Sequence, residues 1–107
     1  MPPRFSKSTV AMLKATLRSR ASEGYQFSED DVADLVGRTG LDATQIRNWN
    51  VHANRYYTTE SQKANFLAGN DKVIIQPLQN HNLWVFGNTS KDKSHLSILF
   101  LKSYNII

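Results

Sequence analysis

The stretch that most limits what this chain can become is residues 41–57, LDATQIRNWNVHANRYY, which reads as one helix with a marked start. Asp42 is placed to be the N-cap, since its carboxylate can accept from the free N–H groups of the first turn. Gln45, three residues on, can reach back and complete a capping box, and Leu41 and Ile46 flank the cap at the spacing of a hydrophobic staple. Gly40 ends whatever comes before. Ile46, Trp49, Ala53 and Tyr56 or Tyr57 recur every three or four residues and so line one face. Arg47, Asn48, Val51, His52, Asn54 and Arg55 fall on the others. Such a helix packs on a small bundle by its apolar stripe. Its polar side is either ordinary solvated surface or a face offered to nucleic acid.

Two further helices precede it. Residues 9–23 carry Val10, Leu13, Leu17 and Ala21 on one face, with Ser6 or Ser8 to cap the start and Gly24 to stop the end. Residues 29–39 follow Ser28 as N-cap, with Val32, Leu35 and Val36 as the buried stripe and Phe27 spaced from Val32 for a staple. Glu29, Asp30 and Asp31 suit the positive end of that helix, so the acidic cluster needs no metal or catalytic role. A helix, a tight turn with Gly40 and another helix make a helix-turn-helix pattern. Leu17, Leu35, Leu41, Ile46 and Trp49 would form its core, Trp49 contributing most because aromatic side chains bury the largest area. Residues 1–8, MPPRFSKS, read as a flexible arm, since Pro2 and Pro3 oppose helix and Arg4 and Lys7 make it basic.

Past residue 58 the pattern weakens. TTESQKANFLAGN admits either a continuation of the third helix or a new turn around Gln62–Ala68. From residue 72 the chain changes character. KVIIQPL, LWVFGN and HLSILFLKSYNII are rich in β-branched and aromatic residues and read locally as three short strands. Pro77 argues against a central position for the first of them, and SILFL is an apolar, uncharged run. This extension is either a second element that covers the helices or binds a partner, or a tail poorly structured alone.

Charge narrows the function classes only a little. Thirteen basic and nine acidic residues give +4, which permits a polyanionic partner without demanding one. Without cysteine there are no disulfides or cysteine-bearing metal sites, and His52, His81 and His95 lack metal-ligand spacing. No metal, cofactor or small-molecule substrate is expected, and no nucleophile–base pair or carboxylate dyad suggests an enzyme. No stretch reaches the length of a membrane span, and the start lacks the apolar run of a secretory signal, so a soluble intracellular chain is the expectation.

At WNVHANR the chain resembles a homeodomain over about Phe5 to Tyr57. Leu17, Leu35, Leu41, Gln45, Ile46 and Trp49 carry the likeness; QIRNW, Val51 and Ala53 are most similar to the three-residue-extended and fungal mating-type homeodomains. VADLVGRTGLDATQIRNW would also suit a bacterial-type helix-turn-helix, and the place of Trp49 favours the homeodomain. There are departures. Asn50 stands where the family has a buried Phe, His52 where a nearly invariant Asn reads adenine, and Asn54 where an Arg grips phosphate. A His makes one contact where an Asn makes two to adenine, so part of the base discrimination would be lost.

The resemblance implies a mainly α, three-helix homeodomain-like bundle at 9–58, between the basic arm at 1–8 and the extension at 59–107. It implies base contacts from Asn48, Val51, His52 and Arg55, and contacts to the DNA backbone from Arg47, Trp49, Asn54, Tyr57 and Tyr25. Arg4 and Lys7 would be the minor-groove arm. The implied function is a nuclear, DNA-binding transcription regulator. Residues 1–57 carry eight basic and six acidic side chains, a net of +2, so binding would be weak alone and assisted by a second DNA-binding subunit. The alternative is a protein-interaction module on the same scaffold, with specific DNA binding lost.

Overall fold

Each helix begins where a side chain can satisfy its first free N–H groups. The computed structural model describes residues 5–77, 83–88 and 98–103. Ser6 caps α1 (Lys7–Ser19), its hydroxyl accepting from the Thr9 N–H. Phe5 and Val10, either side of that cap, are both in the core, the arrangement of a hydrophobic staple. Reciprocal capping boxes start the next helices: Ser28 with Asp31 for α2 (Glu29–Thr39), and Asp42 with Gln45 for α3 (Ala43–Tyr56). A third box, Thr59 with Gln62, starts α4 (Glu60–Leu67). This resolves the ambiguous stretch in favour of a separate helix. Each cap is worth about 0.5–2 kcal/mol.

The basic arm is shorter than expected. Phe5 is buried and Lys7 is the first residue of α1, so residues 5–8 are docked, and Arg4 lies outside the described residues. The helical pattern of 9–23 also divides. α1 ends at Ser19 and a 3-10 turn takes Ala21–Glu23. Gly24 and Tyr25 then both adopt left-handed backbone, at φ 72° and 57°. That conformation is ordinary for glycine and uncommon for tyrosine. Between α2 and α3, Gly40 turns the chain at φ 78°, and its N–H donates to the Val36 carbonyl at 3.1 Å.

The apolar stripes of α1, α2 and α3 meet in one core around Leu13, Leu17, Leu35, Ile46 and Trp49, all fully or almost fully buried. Phe27 stacks on Trp49 with centroids 6.0 Å apart and planes 9° from parallel. α4 joins through Phe66, whose ring lies 4.6 Å from that of Tyr57 and under the Arg18 guanidinium at 4.8 Å. Arg18 Nε also donates to the Phe66 carbonyl at 2.8 Å.

The described chain is mainly helical, and an antiparallel sheet of β1 (Val73–Pro77), β2 (Leu83–Asn88) and β3 (Ile98–Ser103) follows, in the order β1-β2-β3. Ile75 sits opposite Phe86, and Val85 opposite Leu101; the register shifts between Phe86 and Gly87, passing over Leu99. Val73 and Ile75 are buried in the same cluster as the helical core, and Trp49 Nε1 donates to the Ile75 carbonyl at 3.0 Å. The helices and the first strand therefore share one core across residue 58.

The junction contains a buried charge. Lys14 Nζ donates to Asp71 Oδ2 at 2.6 Å, with side-chain exposures of 9% and 7%. Tyr57 Oη donates to the same oxygen at 2.6 Å. Burial first, and Asp71 beside it second, push the Tyr57 hydroxyl well above the ordinary tyrosine range. It therefore stays a donor at any physiological pH.

Candidate nucleic-acid interface

At 100° per residue, Thr44, Arg47, Asn48, Val51 and Arg55 of α3 fall within an arc of roughly 100°. Thr44, Arg47 and Arg55 are exposed, and Asn48 and Val51 are half-buried. This wedge is the outward side of the helix. Both flanks of the wedge are committed to the fold, by different chemistry.

On one flank, Asn50 and Asn54 hold the loop between α1 and α2. Asn50 Oδ1 accepts from the Phe27 N–H at 3.0 Å, and its Nδ2 donates to the Tyr25 carbonyl at 2.9 Å. Asn54 Nδ2 donates to the same carbonyl at 2.9 Å. Two amides thus fix the peptide on which Tyr25 takes its left-handed turn. Replacing Asn50 by alanine is expected to cost about 1–3 kcal/mol, because the Phe27 N–H loses its acceptor. Thermal unfolding measures it, and a change under 0.5 kcal/mol would be below the usual cost of such a loss.

On the other flank, Trp49 and His52 are fully buried, and the Trp49 indole meets β1. The His52 pKa is pushed down to about 4 from an ordinary 6.5, first by burial and second by the Arg55 charge. At neutral pH the imidazole is uncharged.

These placements sort the residues expected to touch DNA. Asn48, Val51 and Arg55 share the outward wedge. His52 does not. It has no surface from which to reach a base edge, because the helix is rolled so that this position faces inward. Trp49 is equally inaccessible, and its indole N–H serves the Ile75 carbonyl in place of a phosphate. Tyr57 is buried against Phe66 with its hydroxyl on Asp71, so it cannot reach the DNA backbone either. Asn54 is half-buried and its amide N–H is spent on the loop. Tyr25 is half-buried with its ring 6.3 Å from that of Phe66, and Lys7 stands in the first turn of α1.

Ion pairing within the fold takes up several of the cations. Arg20 is gripped by Asp31 at 2.7 Å through both Nε and Nη2, and reaches Glu23 at 2.8 Å. That pairing holds the Asp31 carboxyl down at about 2. Arg38 meets Asp34 at 3.2 Å, and Arg47 meets Glu29 at 3.1 Å. The sequence showed these residues but not who would pair with whom, since Arg47 and Glu29 lie on different helices.

Among the described residues no group of His, Asp or Glu is placed to hold a metal ion, and no helix is long and apolar enough to cross a membrane. No protein-family model, curated protein or solved structure matches this chain.

Proposed function

We propose that the chain is a homeodomain-like helix-turn-helix module that binds duplex DNA through the outward wedge of α3, in the service of transcriptional control in the nucleus. The observation that carries this reading is the wedge itself: Arg47, Asn48, Val51 and Arg55 lie side by side on the second helix of a helix-turn-helix. Arg55 and Arg47 suit phosphate or guanine, Asn48 suits a base edge, and Val51 suits a thymine methyl. With a net charge of only +2 over residues 1–57, affinity alone is low, and a second DNA-binding subunit would supply the rest through effective concentration.

The test is fluorescence anisotropy of a labelled pool of random duplex DNA over a salt series, with the full chain and its Arg55→Ala variant. Binding is expected to weaken steeply with salt. The variant is expected to bind less tightly at every salt concentration, as the wedge loses one of its two cations. No binding at low salt by protein with a native circular-dichroism spectrum would remove this reading.

A second reading, a protein-interaction module, is favoured by one specific observation. Asn50, His52 and Asn54, three positions where the family's motif residues stand, are all turned to internal work. Under that reading Arg55→Ala leaves the biological activity intact.

A further inference from the structure

The ion pairs of the helical unit are of two kinds. The Arg20–Asp31 pair is bidentate at 2.7 Å, with exposures of 31% and 12%. It joins the end of α1 to the start of α2 and belongs to the scaffold. The Arg47–Glu29 pair is a single contact at 3.1 Å, with exposures of 50% and 86%. It joins the second turn of α3 to the first residue of α2, from within the outward wedge. A pair so exposed contributes little to stability, so holding the fold together does not account for it. Its effect is on Arg47, whose charge it neutralises.

We propose that Glu29 stands in for a DNA phosphate on Arg47, so that Arg47 enters the interface only by exchanging this carboxylate for a phosphate. Glu29 thereby sets the affinity and salt dependence of the wedge. This rests on the DNA-binding reading above. An exposed monodentate contact is weak enough to be given up, whereas the bidentate pair at Arg20 is not. The exchange also leaves a bare carboxylate beside the duplex, which lowers the gain from engaging Arg47 and keeps non-specific binding down. Asp30 is the natural comparison. It is exposed and one residue from Glu29 on the same helix end, and no hydrogen bond or ion pair joins it to Arg47.

The experiment measures binding of the random duplex pool, by anisotropy across a salt series, for the full chain and four variants: Glu29→Gln, Asp30→Asn, Arg47→Ala and Glu29→Gln/Arg47→Ala. Glu29→Gln is expected to tighten binding about two- to fivefold at low salt, the range that an exposed ion pair spans. It is also expected to steepen the salt slope by up to about 0.9, because no bared carboxylate remains to take up a cation as the phosphate releases one. Most of the gain should vanish in the double variant, and Asp30→Asn should give less of it. An equal gain from Asp30→Asn, or a full gain without Arg47, would overturn the proposal in favour of simple removal of negative charge. No response to Glu29→Gln in a chain that does bind would overturn it too, and leave the DNA reading standing. If none of the five proteins binds, the DNA reading falls and this proposal with it.

Discussion

Asp71→Ala is expected to destabilise the fold by roughly 3–5 kcal/mol, the usual result of leaving one member of a buried ion pair without its partner. The reason lies in what it strands. Lys14 is left without its ion-pair partner in a site with 9% exposure, and the Tyr57 hydroxyl loses its acceptor at the same moment. Urea unfolding followed by circular dichroism gives the number. Lys14→Met combined with Asp71→Ala should cost well below the Asp71 variant alone, because the stranded charge has gone. Equal losses in the two proteins would show that the charge is not what is being felt.

Acid should weaken the fold before it reaches the carboxylates. His52 ionises at about 4 in the folded chain, against an ordinary 6.5. Above neutral pH it is uncharged folded and unfolded, and its contribution is complete. As pH falls from 6.5 towards 4 the unfolded chain takes up the proton first, so each step favours unfolding. Below 4 both states carry the proton and the loss levels off. At 1.36 kcal/mol per unit of difference, the whole window is worth roughly 3 kcal/mol. Asp31, held at about 2, adds a separate loss that begins only below its ordinary 3.8. Stability measured at intervals from pH 7.5 to 4 should decline, and His52→Leu should remove most of that decline. An unchanged decline in His52→Leu would assign it to other groups.

How legible all this was differs from residue to residue. The helix starts could be read directly, because Ser28 and Asp42 act on N–H groups three residues away and leave a local signature. The buried stripe was legible for the same reason: Leu17, Leu35, Ile46 and Trp49 recur at the helical period. Ser6 was legible as one of two possible caps, while its staple from Phe5 to Val10 went unread behind the prolines before it. His52 could not be placed so simply. On α3 alone it lies beside Asn48 at the edge of the polar side, and only the packing of the folded chain around this helix decides that it is covered. Asn50 and Asn54 look like surface residues until the loop at Tyr25 supplies a carbonyl for both. Lys14 and Asp71 are 57 residues apart, and no periodicity connects them.

That separation also has a consequence for the order in which the chain can be finished during synthesis. Lys14 emerges early, within a helix whose neighbours in the bundle follow soon after. Its counter-charge and the strand that meets Trp49 come last of the described core, at Asp71 and Ile75. Until then a nascent chain that has already made α1, α2 and α3 holds a lysine it cannot bury and an indole N–H with no carbonyl to meet. Complete packing of the three helices therefore waits for residues 71–75, and a product cut short before that point is expected to carry α1, α2 and α3 without the carboxylate and the strand that complete their core.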